Sequence, residues 1–104
     1  MTARFPALYE TPADPEAFEP HYREAHVPLG RRLPRLRRST LGRRTAAVCG
    51  GAPYYLVATP EWDSPQELDD AVASPEGRAA ADAARLAEPA PVRSVIVTLE
   101  EEVL

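Results

Sequence analysis

The stretch PEAFEPHYREAHVPLGRRL, residues 15–33, determines how the rest of the chain is arranged. Phe18, Tyr22 and His26 are spaced four residues apart, which places them on one side of a helix, and leucines further along continue that side. The stripe is mostly apolar, but it carries a phenol and an imidazole, two groups suited to moving protons. It must face either the core or a cavity, and that choice bears directly on function.

The sequence also indicates where this helix begins and where it is interrupted. Asp14 caps free N–H groups well, and Pro15 suits the first helical position, so the helix is predicted to begin there. Pro28 lies much deeper and removes a backbone donor. We therefore expect a kink or a break near Val27, with two segments at roughly 15–26 and 28–33.

The remaining elements follow from alternation, capping signals and turn residues. We predict a first strand at 3–9, an arginine-rich edge strand at 36–48, a largely apolar strand at 54–62, a helix opened by the capping box Ser64-Pro65-Gln66-Glu67 and running to about Ala73, an alanine-rich helix from Pro75 to about Ala87, and a last strand at 92–104.

The predicted order is β-α-β-β-α-α-β over a single domain, residues 1–104. A ferredoxin-like α+β protomer with an antiparallel sheet satisfies this order with right-handed crossovers. Its helices cover only one face of the sheet, yet the third and fourth strands are apolar on both faces. We therefore expect a homodimer in which two sheets meet face to face and close a dimeric α+β barrel.

Composition narrows the functional classes. The net charge is −4 and the pI about 5.1, which disfavours nucleic acid and anionic membranes as partners. The absence of lysine excludes Schiff-base chemistry and a lysine-dependent phosphate loop. No apolar run is long enough to span a membrane, and no secretory signal is recognisable. The lone Cys49 has neither a disulfide partner nor zinc-ligand spacing. A cytoplasmic protein fits these observations.

Seven of the twelve arginines lie within residues 31–44. This segment has no aromatic residues for base stacking and matches no nucleic-acid-binding module. We interpret it as a solvated edge, partly paired with Glu100 to Glu102 of the last strand or of a partner subunit. His21 points away from the apolar stripe and is also expected to be solvated.

Several short pieces, taken in this order, resemble one family over nearly the whole length of the chain. They are Leu8-Tyr9, Phe18-x3-Tyr22-x3-His26-Val27-Pro28-Leu29, Leu33-Pro34-x-Leu36-Arg37-Arg38, Pro53-Tyr54-Tyr55-Leu56-Val57-Ala58, Asp63-Ser64 and Ala73-Ser74-Pro75-Glu76-Gly77. With them the chain resembles the EthD-like branch of the dimeric α+β barrel superfamily.

The resemblance implies a ferredoxin-like protomer, a dimer, and a pocket between the sheet and the helices. It does not imply one reaction, because relatives by fold include cofactor-free monooxygenases, polyketide cyclases, lactone isomerases and haem-handling enzymes. The chain departs from the family where Thr59-Pro60 replaces the usual Glu-Leu. Glu61, two residues on, lies on the same strand face and is a candidate substitute for that carboxylate.

His26 is the first candidate catalytic residue, because an imidazole exchanges protons near neutral pH. Tyr22, one turn earlier, is the candidate that orients a ligand oxygen. The structural alternatives are a histidine that caps a carbonyl near Pro28 and a half-buried tyrosine. The candidate ligand-binding residues are Tyr55, Thr59, Glu61 and Tyr9, with ordinary packing as their alternative.

The leading hypothesis is a cofactor-independent enzyme that acts on a small apolar molecule, such as a polyketide or aromatic intermediate. Oxygenation, cyclisation and isomerisation would each begin with proton transfer at His26. The alternative is a non-catalytic ligand-binding or accessory protein. We expect no metal site, because His21 and His26 do not share the usual i, i+4 spacing. Haem ligation by a single histidine stays open as a further alternative.

Overall fold

The computed structural model describes residues 1–86 and 91–100. In chain order the elements are β1 (Ala3–Arg4), β2 (Ala7–Tyr9), α1 (Pro15–His21), a π-helical turn (Tyr22–His26), α2 (Val27–Gly30), β3 (Arg38–Gly42), β4 (Leu56–Trp62), α3 (Pro65–Ala73), α4 (Pro75–Leu86), β5 (Val92–Ser94) and β6 (Val97–Thr98).

All pairings in the sheet are antiparallel, and the predicted ferredoxin-like α+β fold is confirmed. β1 and β2 pair with β4 in one continuous register, with Ala3 opposite Trp62 and Ala7 opposite Ala58. They form the predicted first strand, interrupted where Pro6 has no N–H to donate. β5 and β6 likewise form one interrupted last strand, so the order across the sheet is last, first, third and second strand.

The helix that follows begins as predicted but does not break. Asp14 Oδ1 accepts from the Ala17 N–H at 3.3 Å. The helix then runs without interruption from residue 15 to 30, so the predicted break before Pro28 is wrong. It widens into a single π-helical turn, in which the Val27 N–H reaches back five residues to the Tyr22 carbonyl. The helix accommodates the proline through this wide turn, a feature often found at functional sites.

The second helical region forms two helices joined at Ser74. Ser64 caps α3 by accepting from the Glu67 N–H at 3.2 Å, as the capping box predicts. Ser74 caps α4 in the same way through the Gly77 N–H at 3.0 Å. A β-carbon at Gly77 would lie 2.3 Å from the Ala71 carbonyl oxygen, so α4 approaches α3 more closely than any larger residue permits.

The second predicted strand is shorter than expected, and the last one can be compared only over part of its range. The arginine-rich strand is confined to β3, whose five residues are all exposed and which pairs only with β4 in the described part of the chain. Arg43, the residue directly after it, pairs with Glu19 of α1. The predicted last strand also reached residues 101–104, which lie outside the described residues.

The molecule is a slab about 16 Å thick, one sheet and one layer of helices deep. Its apolar interior is divided in two. One cluster consists of Tyr9, Phe18, Tyr22 and Leu56, and the other of Ala3, Trp62, Leu68 and Ala71. The opposite face of the sheet carries no helix in the described chain. None of the described helices is long and apolar enough to cross a membrane.

Candidate functional site

A cavity of about 460 Å³ lies between the sheet and the helices, in the gap between the two apolar clusters. This volume is within the range of about 300–1,000 Å³ that ligand sites occupy. The sheet forms the floor of the cavity. Ala7 and Ala58, which are paired on the adjacent strands β2 and β4, have small side chains and therefore leave the space above them open. Tyr9 stands on one side of this pair and Trp62 on the other.

The helical side of the cavity is built mostly from small residues. Gly30 ends α2, and four residues of α4 complete the wall: Gly77, Ala80, Ala81 and Ala84. The small side chains of the floor and of this wall leave the space between sheet and helices unfilled. The cavity therefore results from the size of these side chains and not from poor packing of the elements.

His26 lines the cavity at the end of the π-helical turn, and its ring stacks on Tyr22 with the centroids 5.2 Å apart. Its Nδ1 atom is buried and has no hydrogen-bond partner in the described structure. Burial lowers the pKa of His26, and the nearby His21 lowers it further, while the Ala80 carbonyl acts in the opposite direction. The imidazole is therefore neutral at physiological pH, with one ring nitrogen able to accept a proton.

Tyr22 and Tyr9 also line the cavity and are buried apart from that contact. Neither hydroxyl makes a hydrogen bond within the described residues, and the two rings meet edge to face at 5.6 Å. Burial raises the pKa of both phenols, and Tyr9 raises that of Tyr22 further. Both remain protonated at neutral pH, so each can donate a hydrogen bond to a ligand.

The other three predicted site residues lie elsewhere. Thr59 and Glu61 occupy the sheet face opposite the helices, where Glu61 pairs with Arg4 at 2.9 Å. Tyr55 precedes β4 and donates from its hydroxyl to Glu19 at 2.9 Å. The cavity thus brings together Tyr9, Tyr22 and His26 and excludes Tyr55, Thr59 and Glu61. Trp62 faces the helices, where it packs with Leu68 and Ala71.

Glu19 is the centre of a polar cluster that the sequence analysis did not identify. Its carboxylate accepts from Arg43 at 2.5 Å as well as from Tyr55 and Arg23. Burial alone would raise the pKa of Glu19, but the hydrogen bonds and the charge of Arg43 outweigh it and hold the pKa low. Arg43 lies 24 positions from Glu19, so no local pattern could have indicated the pair.

One expectation about these surface residues is wrong, and a second is tested only in part. His21 is not solvated, because its Nε2 donates to the Ala83 carbonyl at 2.9 Å near the end of α4. The arginine segment finds its acidic partners in Glu19 and Asp63, whereas no ion pair forms with Glu100 in the described structure. Glu101 and Glu102 lie outside the described residues. Within those residues, no three histidine, cysteine or acidic side chains lie close enough together to hold a metal ion.

Comparison with known proteins identifies clear relatives. A family model described as the EthD domain matches residues 10–90. The "uncharacterized 11.0 kDa protein in thcB-thcC intergenic region" of Rhodococcus erythropolis is 39% identical over 85 residues, which are 81% of this chain and 82% of that protein. The crystal structure of an ethyl tert-butyl ether D (EthD) family protein from Bacillus halodurans is 31% identical, with a TM-score of 0.83 over 96% of this chain and 100% of that one.

More distant structures share the fold. A dimeric ferredoxin-like protein of unknown function from Thermobifida fusca has a TM-score of 0.67 at 20% identity, over 95% of this chain and 92% of that one. SnoaB, a cofactor-independent oxygenase from Streptomyces nogalater, has a TM-score of 0.65 at 20% identity, over 98% of this chain and 96% of that one. At this level of identity the likeness concerns the fold.

Proposed function

Because the chain belongs to the EthD domain family, we propose that its cavity binds a largely apolar organic molecule and exchanges a proton with it at His26, without a bound cofactor. The observation that carries this proposal is the state of His26. Its imidazole lines the cavity, is neutral, and has a buried ring nitrogen that no group of the described protein satisfies. Such an atom costs free energy in the folded state, so its presence calls for a functional explanation.

The chemistry follows from the two groups that share the π-helical turn. A neutral imidazole takes a proton from an activated C–H or O–H of the bound molecule and becomes imidazolium. The electron pair left behind moves to a ligand oxygen, where Tyr22 donates a hydrogen bond to the developing negative charge. Tyr22 is suited to this role because its raised pKa keeps the phenol protonated while it donates. Cyclisation and isomerisation can proceed from the resulting anion without an oxidant, and oxygenation can proceed from it with dioxygen as the co-reactant.

The fold neighbours support a reaction of this kind. SnoaB is a cofactor-independent oxygenase, and other neighbours are named as monooxygenases, one from Shewanella loihica and one, for antibiotic biosynthesis, from Deinococcus radiodurans. The cavity wall, mostly alanine, glycine, leucine and aromatic rings, suits an aromatic or polyketide-like body.

Proton exchange can be measured before the natural substrate is known. The protein is incubated in D2O with a set of bicyclic ketones and phenols, including 2-tetralone, and loss of the acidic C–H signals is followed by NMR. We expect at least one compound to exchange about 100-fold faster than in buffer, a usual effect of a positioned acid–base group. His26→Gln should return exchange to background, whereas Arg32→Gln, an exposed change outside the cavity wall, should retain it.

A second candidate function is ligand binding without catalysis. It is favoured by the lack of a carboxylate orienting His26 within the described residues, since acid–base histidines are usually held by such a partner. In that case compounds would bind in the cavity, but none would exchange protons faster than in buffer.

A further inference from the structure

The charge around the cavity is unbalanced. Among the described residues that line it, Arg31 is the only one with a permanent charge, and no aspartate or glutamate is present. Tyr9, Tyr22 and His26 are neutral at physiological pH for the reasons given above. The site is therefore an apolar trough with one exposed guanidinium in its wall.

Within residues 1–86 and 91–100, no contact of the fold uses that guanidinium. Arg31 has no ion pair and no side-chain hydrogen bond in the described part of the chain, although four other arginines, Arg4, Arg23, Arg37 and Arg43, are paired with acids. It is not needed as a helix cap either, because the last carbonyls of the helix already accept from the backbone N–H groups of residues 31–33 at 3.1–3.3 Å.

We propose that the ligand is an organic carboxylic acid whose carboxylate is bound by Arg31, an inference that rests on the proposed function of the cavity. A planar guanidinium can donate two parallel hydrogen bonds to a carboxylate, and nothing in the described wall competes for it. Arg31 lies five residues after His26, a rise of about 7.5 Å along the helix. The acid group and the atom that meets His26 therefore lie at opposite ends of the ligand, with an apolar body between them.

The test compares two probes that differ only in charge, 2-naphthoate and 2-naphthamide, whose binding to the full chain is measured by calorimetry or fluorescence. We expect the carboxylate to bind about tenfold more tightly, as a charge-assisted pair at a partly open site provides. Arg31→Gln should remove this preference while leaving the affinity for the amide unchanged. Arg32→Gln is the matched control, since Arg32 is exposed and, among the residues the structure describes, has no ion pair and is not part of the cavity wall; it should keep the preference.

The outcomes separate this inference from the proposed function. Equal affinities for the two probes, or a preference that survives Arg31→Gln, would overturn the role of Arg31 and leave a ligand-binding cavity in place. Failure of both probes to bind at millimolar concentration would overturn the cavity as a site for bicyclic ligands, and with it the inference.

Discussion

The imidazole of His26 gives the protein an acid-sensitive group in its interior. Its folded-state pKa is below the ordinary value of about 6.5, so the unfolded chain binds more protons between the two values. The stabilisation is complete above pH 6.5 and is lost as the pH falls through the lower, folded-state pKa. We predict that urea midpoints of the wild type decline over this interval and that His26→Gln makes the decline shallower. An identical pH dependence in the two proteins would contradict the assignment.

The same imidazole responds to its neighbour. Because His21 lowers the pKa of His26, His21→Gln should move that pKa back toward its ordinary value, which an NMR titration of the ring C–H signals measures directly.

Substitutions at two tyrosines can separate effects on proton exchange from effects on stability. The Tyr22 hydroxyl has no partner in the described structure, whereas the Tyr55 hydroxyl donates to Glu19. We predict that Tyr22→Phe leaves the thermal midpoint nearly unchanged and reduces proton exchange by about tenfold or more. Tyr55→Phe should lower the free energy of unfolding by about 1 kcal/mol and leave exchange intact. The reverse pattern would move the functional phenol to Tyr55.

At the residue level, helical spacing predicts that Tyr22 and His26 share one side of a helix, and the structure places both on the cavity wall with Tyr9. Strand alternation does not decide which sheet face holds the cavity, so the sequence could not separate Tyr9 from Thr59 and Glu61. The polar cluster at Glu19 could not be predicted from the sequence, because it depends on a contact between segments that are distant along the chain.

At the level of elements, the contact between α3 and α4 depends on Gly77. We predict that Gly77→Ala destabilises the protein by about 1–3 kcal/mol, because a β-carbon there meets backbone atoms that cannot move aside. Gly30→Ala is the matched control: nothing lies within 4 Å of its added β-carbon, and alanine is the better helix former. Chemical denaturation measures both, and an equal effect at the two positions would contradict the close approach of the helices.

The first helix shows how far local sequence rules can predict the course of a helix. Its start at Asp14 was predictable from capping chemistry, but the consequence of Pro28 was not. A proline can end a helix, bend it or be absorbed by a wider turn, and packing on both sides of the helix selects among these outcomes. Here the wide turn is also the one that carries Tyr22 and His26.

At the scale of the whole molecule, the divided core accounts for the cavity. Ala58 lies in its floor, so Ala58→Leu should fill the space and weaken 2-naphthoate binding by more than tenfold, while the thermal midpoint stays the same or rises. Ala73→Leu, an exposed change at the end of α3, should leave binding unaltered. A marked loss of stability in Ala58→Leu, with binding retained, would mean that the floor is packed and the ligand lies elsewhere.

The open face of the sheet leads to a prediction about assembly. Val57 and Leu8 are opposite each other on the face that carries no helix in the described chain. We predict a homodimer formed through this face, with a light-scattering mass twice the 11.4 kDa of one chain. Val57→Lys should yield the single-chain mass, because it places a charge within the interface, whereas Val48→Lys in the exposed loop should remain dimeric. A wild-type protein that is monomeric at micromolar concentrations would contradict this arrangement.

The most direct measurement is a crystal structure of the protein with 6-hydroxy-2-naphthoate, which carries a phenol and a carboxylate at opposite ends of a bicyclic body. We predict the ligand between sheet and helices, with its phenolic oxygen within about 3.2 Å of a His26 ring nitrogen and its carboxylate on Arg31. A ligand bound instead on the opposite sheet face, beside Thr59 and Glu61, with no contact to His26 or Arg31, would contradict this placement.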